Sequence, residues 1–93
     1  MTREVSEDVT PAFARGVRLR FDKTRDAWVV LGPERLFLPD EHALEVLKLV
    51  DGQRSLGAIV DALAARFNAP REEIAGDVAA LFADFADRGA VTL

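Results

Sequence analysis

The sequence predicts a small α+β domain, in which a three-stranded antiparallel sheet is followed by a three-helix bundle. Two patterns predict it: β-type apolar stretches fill residues 17–38, and apolar stripes at helical spacing fill residues 40–89. Length is the third observation, because 93 residues build one hydrophobic core and not two. We therefore expect a single domain over residues 17–93, preceded by an N-terminal arm, residues 1–16, that is flexible in part.

Three short strands are expected in the first half of the chain. Apolar and charged residues alternate over residues 17–22, which is the period of a half-buried strand. Residues 28–31 (Trp-Val-Val-Leu) combine aromatic and β-branched side chains and suit a central strand. Residues 35–38 give a third strand. Because the joining segments, residues 22–26 and 32–34, are short, we expect the strands to pair as an antiparallel meander.

Three helices are expected in the second half, each marked by its ends. Asp40 and Ser55 suit the N-caps of the first two, because their side-chain oxygens accept hydrogen bonds from free backbone N–H groups. Pro70 suits the first turn of the third helix, where an N–H group has no partner anyway. Gly52 and Gly89 suit the helix ends, since glycine readily takes the left-handed conformation. The apolar stripes are Ala43, Val46, Leu47 and Val50, then Leu56, Ile59, Val60, Leu63 and Phe67, and finally Ile74, Val78, Leu81, Phe82 and Phe85. This order of elements is typical of a winged-helix-like module.

Composition argues against an enzyme. The chain has no cysteine, which excludes disulfides, zinc–thiolate sites, iron–sulfur clusters and thiol nucleophiles within it. Its one histidine, His42, falls in the first turn of a helix, where an exposed side chain is the ordinary interpretation. We expect no catalytic residue, no metal and no cofactor. Apolar runs such as residues 27–31 are too short to span a membrane, and residues 1–7 lack the apolar region of a secretory signal. A cytoplasmic protein without membrane association is therefore expected.

Charge is distributed unevenly along the chain. The net charge of −4 combines a predicted sheet, residues 17–38, of net charge +2 with a third helix, residues 70–88, of net charge −3. A winged-helix DNA-binding regulator remains an alternative, but an acidic third helix would repel phosphate. We therefore expect no nucleic-acid partner.

An extended peptide is the ligand that the predicted elements favour. Residues 35–38 form a candidate edge strand, to which a peptide can add as a further strand through main-chain hydrogen bonds. Ile74, Val78 and Leu81 would form the helical wall of such a groove. The alternative interpretation is that these three side chains simply fill the core.

Several short stretches, in the same order along the chain, resemble the PqqD family. They are residues 15–22 (Arg-Gly-Val-Arg-Leu-Arg-Phe-Asp), residues 31–34 (Leu-Gly-Pro-Glu), Ala43, Val46, Leu47, Asp51-Gly52, Ile59-Val60, Leu63 and Asp77-Val78. Together they span about residues 10–93.

The resemblance implies a function and a set of partners. PqqD-like domains are RiPP recognition elements that bind a ribosomal precursor peptide, PqqA, and present it to the radical S-adenosylmethionine enzyme PqqE. The iron–sulfur clusters and S-adenosylmethionine would belong to PqqE, and this chain would act without catalysis. Apart from the resemblance, a small oligomerising structural domain without a peptide ligand is a third hypothesis, and a homodimer is a possible assembly with Phe13, Trp28 and Phe37 as candidate contacts if they are exposed.

The resemblance also implies where the peptide lies. In related recognition elements it adds beside the third strand, against the third helix. Carried onto this chain, the peptide-binding residues are Arg35, Leu36, Phe37, Leu38, Ile74, Asp77, Val78 and Leu81. Arg18 and Glu34 match further family positions, at which a peptide contact and a plain surface role are equally open.

Overall fold

The computed structural model describes residues 5–93 and confirms the predicted meander followed by three helices. Two very short strands that the sequence pattern did not separate from loops stand at the two ends of the chain. The elements are β1 (Ala12–Phe13), β2 (Arg18–Asp22), β3 (Ala27–Leu31), β4 (Leu36–Phe37), α1 (Glu41–Leu47), α2 (Leu56–Phe67), α3 (Arg71–Asp87) and β5 (Val91–Thr92).

The three-stranded sheet has the order β2-β3-β4 and is antiparallel throughout. Its register places Leu19 opposite Val30 and Val30 opposite Phe37, and all three side chains pack on the helical core. Because side chains alternate along a strand, Val29 faces the other way, away from the helices. The sheet therefore has an inner face against the helices and an outer face.

A second, two-stranded sheet joins the ends of the described chain. Ala12 pairs with Thr92 and Phe13 with Val91, so β1 and β5 run antiparallel. Phe13 also packs against the core. The part of the predicted N-terminal arm that the structure describes, residues 5–16, thus lies against the domain of residues 17–93, and residues 1–4 lie outside the described chain.

The predicted caps of α1 and α2 are confirmed. An Asp40 carboxylate oxygen accepts from the Ala43 N–H at 2.8 Å, and the Ser55 hydroxyl accepts from the Ala58 N–H at 3.1 Å. Each cap satisfies one backbone donor that the helix leaves without an internal partner. The caps therefore fix where the two helices begin.

Two helix boundaries differ from the sequence-based expectation. Pro70 is the residue before α3 and not part of its first turn, because its ψ of 126° is extended. Helix α1 ends at Leu47 instead of reaching Val50, and tighter turns follow it, in which Val50 N–H donates to the Leu47 carbonyl at 3.1 Å. Val50 still packs against the core, so the predicted stripe continues beyond the helix itself.

The core lies between the inner sheet face and the three helices. Its fully enclosed members come mainly from α2 and α3, and no polar side chain is buried in the described chain. The buried cluster is Val30, Val46, Leu47, Leu56, Ile59, Val60, Leu63, Val78, Phe82, Phe85, Ala90 and Val91. None of the described helices is both long enough and apolar enough to cross a bilayer.

Candidate functional site: the β4 edge and the groove between α1 and α3

Strand β4 is an edge strand with one paired side. It pairs with β3, and within residues 5–93 it has no second neighbour. The Gly32 N–H donates to the Arg35 carbonyl at 2.9 Å, which closes the hairpin between the two strands. Hydrogen-bonded and non-bonded pairs alternate in an antiparallel ladder, so Phe37 turns its amide towards Val30 and Leu36 turns its amide outwards. The Leu36 N–H and C=O are therefore open to a further strand.

The inner face of β4 packs on the C-terminal end of α3. The rings of Phe37 and Phe85 meet edge to face, with centroids 5.8 Å apart. The Arg88 guanidinium lies 5.9 Å from the centre of the Phe37 ring, and Arg35 Nη1 donates to the Arg88 carbonyl at 3.3 Å. These contacts hold β4 against the helix and leave its outer edge uncovered.

A groove between α1 and α3 continues from the end of β4. It has a volume of about 290 Å³ and begins where the chain passes from β4 into α1. A deeper pocket of about 120 Å³ adjoins it, shares four of its residues and reaches α2 at Leu63 and Phe67. We call the two together the α1–α3 groove. Its lining is Asp40, His42, Ala43, Glu45, Val46, Leu63, Phe67, Ile74, Asp77, Val78 and Leu81.

The predicted α3 residues all line this groove but differ in exposure. Val78 is 2% exposed and belongs to the core, so it forms the floor. Ile74 and Leu81 are half-buried against the core and form the wall, while Asp77 is exposed at the rim. Core filling and groove lining, which the sequence left as alternatives, are thus compatible for these side chains.

The predicted β4 residues fall on two faces. Arg35 and Phe37 point inward to the end of α3, whereas Leu36 and Leu38 point to the outer face and are 38% and 62% exposed. The structure therefore does not bring the β4 set and the α3 set into one pocket. Arg35 and Phe37 line a pocket with Arg88 at the C-terminal end of α3, and this pocket shares no residue with the α1–α3 groove. We call the surface of α3 from Arg88 to Ile74, together with β4, the track.

Arg18 lies outside that track, and Glu34 borders one end of it. Arg18 is opposite Leu31 in the sheet and exposed on the outer face. Glu34 is exposed in the tight turn between β3 and β4 and borders the pocket of about 200 Å³ that Arg35, Phe37 and Arg88 also line.

Sequence reasoning missed residues on both sides of the track. Phe85 was expected only in the core and Arg88 entered only the net charge of the third helix, although they follow Leu81 by four and seven positions on one helix face. The α1 wall, with Ala43 and Val46, was also assigned to the core alone. Helical spacing could have found the α3 pair, but the contact of α1 with α3 depends on the fold.

The rim of the groove is acidic and polar. Asp40 and Asp77 lie at one end, and Glu45 at the other forms an ion pair with Arg66. No group of three or more metal-ligating side chains occurs among residues 5–93. An apolar floor with a carboxylate rim suits apolar side chains with a neighbouring cation or amide.

The fold and the site define a small winged-helix-like domain with a free edge strand beside an apolar groove. A family model described as "Coenzyme PQQ synthesis protein D (PqqD)" matches residues 27–91. The chain belongs to the PqqD family.

Similar proteins support this membership at the level of sequence and of fold. The chain is 52% identical over 88 residues to a PqqA binding protein of Rhodopseudomonas palustris (strain TIE-1), covering 95% of this chain and 86% of the relative. It is 45% identical over 84 residues to a PqqA binding protein of Gluconobacter oxydans (strain 621H), covering 90% of this chain and 88% of that relative.

Two solved structures share the fold. One is the solution structure of the PqqD part of Methylobacterium extorquens PqqCD, described as a functional, stand-alone RiPP recognition element, with a TM-score of 0.79 and 38% identity. That match covers 95% of this chain and 94% of the other. The other is the crystal structure of PqqD from Xanthomonas campestris, with a TM-score of 0.57, 43% identity, and 90% and 93% coverage.

Proposed function

We propose that this chain is a non-catalytic protein of pyrroloquinoline quinone biosynthesis that binds PqqA by strand addition at β4 and presents it to PqqE. The observation that carries the proposal is the outward amide of Leu36 on a free edge strand. The apolar α1–α3 groove beside it supplies a place for peptide side chains. Relatives that cover most of the chain are PqqA binding proteins, which supports the identity of the peptide.

Strand addition divides the recognition between main chain and side chains. The peptide backbone forms hydrogen bonds with the main chain of Leu36. It also bonds to Leu38 beyond the end of the strand, because residues two positions apart in an extended chain turn their backbone groups to the same side. Every second peptide side chain then faces the inner side, where Leu81 and Ile74 offer apolar contact. Asp77 at the rim accepts a hydrogen bond from a cation or amide of the peptide.

Presentation to PqqE raises the local concentration of the peptide. Holding PqqA on a docked carrier makes its delivery intramolecular, with an effective concentration in the mM range for a short flexible connection. Redox groups belong to the enzyme, since this chain has no cysteine to hold an iron–sulfur cluster.

A proline substitution at Leu36 tests strand addition. Leu36→Pro removes an amide that makes no bond within the sheet, and proline is tolerated on edge strands. We expect the affinity for PqqA to fall at least about tenfold, which corresponds to one lost hydrogen bond and the rearrangement around it. The measurement is isothermal titration of the peptide, with circular dichroism to follow the fold.

Two matched variants serve as controls for Leu36→Pro. Leu36→Ala shortens the same side chain but keeps the N–H, so it should bind PqqA more tightly than Leu36→Pro. Phe37→Pro removes the amide that faces Val30 and should instead lower the melting temperature. If folded Leu36→Pro binds PqqA as tightly as Leu36→Ala, the peptide does not add at this edge.

A further inference from the structure

The outer face of the three-stranded sheet carries a compact set of apolar and basic side chains. Register and alternation put Asp22 and Ala27 on this face at the hairpin end, where Asp22 forms an ion pair with Arg25. The six other residues on this face form what we call the outer sheet patch. They are Arg18, Arg20, Val29, Leu31, Leu36 and Leu38.

The apolar part of the outer sheet patch is organised around Val29. Val29 is 1% exposed, although it points away from the helices and is not part of the core cluster. Arg20 lies directly opposite it on this face of the sheet. Beside Val29, Leu36 and Leu38 are 38% and 62% exposed. Their combined exposed apolar surface is larger than that of one isolated surface leucine.

The basic part of the patch is unpaired. Arg18 and Arg20 are exposed and make no ion pair with any residue in the described part of the chain. Most other arginines of this acidic protein do pair with carboxylates: Arg25, Arg54, Arg66, Arg71 and Arg88. Two free guanidinium groups beside an apolar centre favour a partner surface that offers carboxylates around an apolar centre of its own.

We propose that the outer sheet patch docks a second protein with an acidic rim and an apolar centre, and, resting on the proposed function, that this protein is the enzyme that receives the peptide. A strand added to β4 extends the outer sheet face at Leu36, so a protein seated on this face touches peptide and carrier together. A second copy of this chain fits less well. Two copies of net charge −4 repel each other, and Asp77 of α3 borders the chain's own α1–α3 groove.

A charge reversal at Arg20 tests the docking surface, because Arg20 lies outside the peptide track. We expect Arg20→Glu to weaken binding to purified PqqE at least about tenfold, since it sets a carboxylate against the acidic rim. Lys23→Glu makes the same charge change in the turn beyond β2 and should alter the affinity by less than about threefold. Both variants should bind PqqA as the unchanged chain does, and surface plasmon resonance measures each affinity.

The salt dependence of the affinity for PqqE is an independent test of the docking surface. Binding of the unchanged chain to PqqE should weaken as salt rises from about 0.05 to 0.5 M, and Arg20→Glu should flatten that dependence. Equal PqqE binding by Arg20→Glu and the unchanged chain would overturn the docking proposal, as would a loss of self-association in Arg20→Glu without a loss of PqqE binding. If the chain does not bind PqqA but still binds PqqE in a way that depends on Arg20, the docking proposal is supported and the proposed peptide binding is wrong.

Discussion

At the scale of single residues, Arg71 is the best-connected charge in the described chain. Its guanidinium donates to both oxygens of Glu7, at 2.6 and 3.2 Å, and its Nε donates to Asp61 at 2.6 Å. The hydrogen bond and charge of Arg71 hold the pKa of Glu7 below its usual value of 4.5. Because Glu7 precedes β1 and Asp61 lies in α2, one side chain joins the N-terminal segment to two helices.

This arrangement predicts a specific dependence of stability on pH. A carboxylate whose pKa is lowered by folding contributes stability above its unfolded pKa, and that contribution is lost as the pH falls through the folded pKa. Glu7→Gln should therefore lower the melting temperature at pH 7, and the difference from the unchanged chain should shrink as the pH falls below about 4.5. Thermal unfolding followed by circular dichroism between pH 7 and 3 measures it.

Asp8 provides the control for that experiment. It stands next to Glu7 and makes no ion pair within residues 5–93, so Asp8→Asn changes the same charge without breaking the contact with Arg71. A Glu7→Gln chain that behaves like Asp8→Asn at every pH would show that the ion pair adds nothing to stability, the ordinary outcome for an exposed pair.

At the scale of elements, two helical glycines have different surroundings. A Cβ on Gly76 in α3 would meet nothing within 4 Å, whereas one on Gly57 in α2 would lie 3.3 Å from the Glu7 Cβ and 3.4 Å from its carbonyl oxygen. Alanine is a better helix former than glycine by about 1 kcal/mol. Gly76→Ala should therefore raise the free energy of unfolding by about that amount, while Gly57→Ala should raise it by less, because Glu7 must shift by a few tenths of an ångström.

Urea titration of the two alanine variants distinguishes these effects. The double variant Gly57→Ala with Glu7→Ala keeps part of the clash, because the Glu7 backbone remains in place, and should stay below Gly76→Ala in stability. If Gly57→Ala is as stabilising as Gly76→Ala, the N-terminal segment does not lie close on α2.

The elements also show which features a sequence pattern can predict. Asp40 and Ser55 were identifiable as caps because a cap depends on neighbours three residues away. The pairing of β1 with β5 was not, since two residues carry no period and the partners are about 80 positions apart. The apolar stripe on α3 was predictable because its residues are three or four positions apart. Which of them contact β4 and which contact α1 depends on tertiary packing, so that could not be predicted.

At the scale of the whole molecule, the N-terminal segment acts as part of the fold. The Val9 carbonyl accepts from the Leu56 N–H at 2.8 Å, and the Glu7 carbonyl accepts from the Gly57 N–H at 3.0 Å. These are the first two donors of α2, and Ser55 satisfies the third. Backbone from one end of the chain thus completes the cap of a central helix, while β1 holds β5 at the other end.

This closure makes removal of residues 1–16 the sharpest test of the predicted boundary. A chain of residues 17–93 keeps the three-stranded sheet, the helices and the peptide track, so we expect it to fold and to bind PqqA with unchanged affinity. It loses the two carbonyl caps of α2 and the packing of Val9 and Phe13, and its free energy of unfolding should fall by about 3 kcal/mol or more. Urea unfolding measures the loss, and a second deletion of residues 1–4 alone is the control. An unchanged unfolding midpoint would mean that residues 5–16 rest on the domain without stabilising it, whereas loss of PqqA binding in a folded chain would place part of the peptide site on the N-terminal segment.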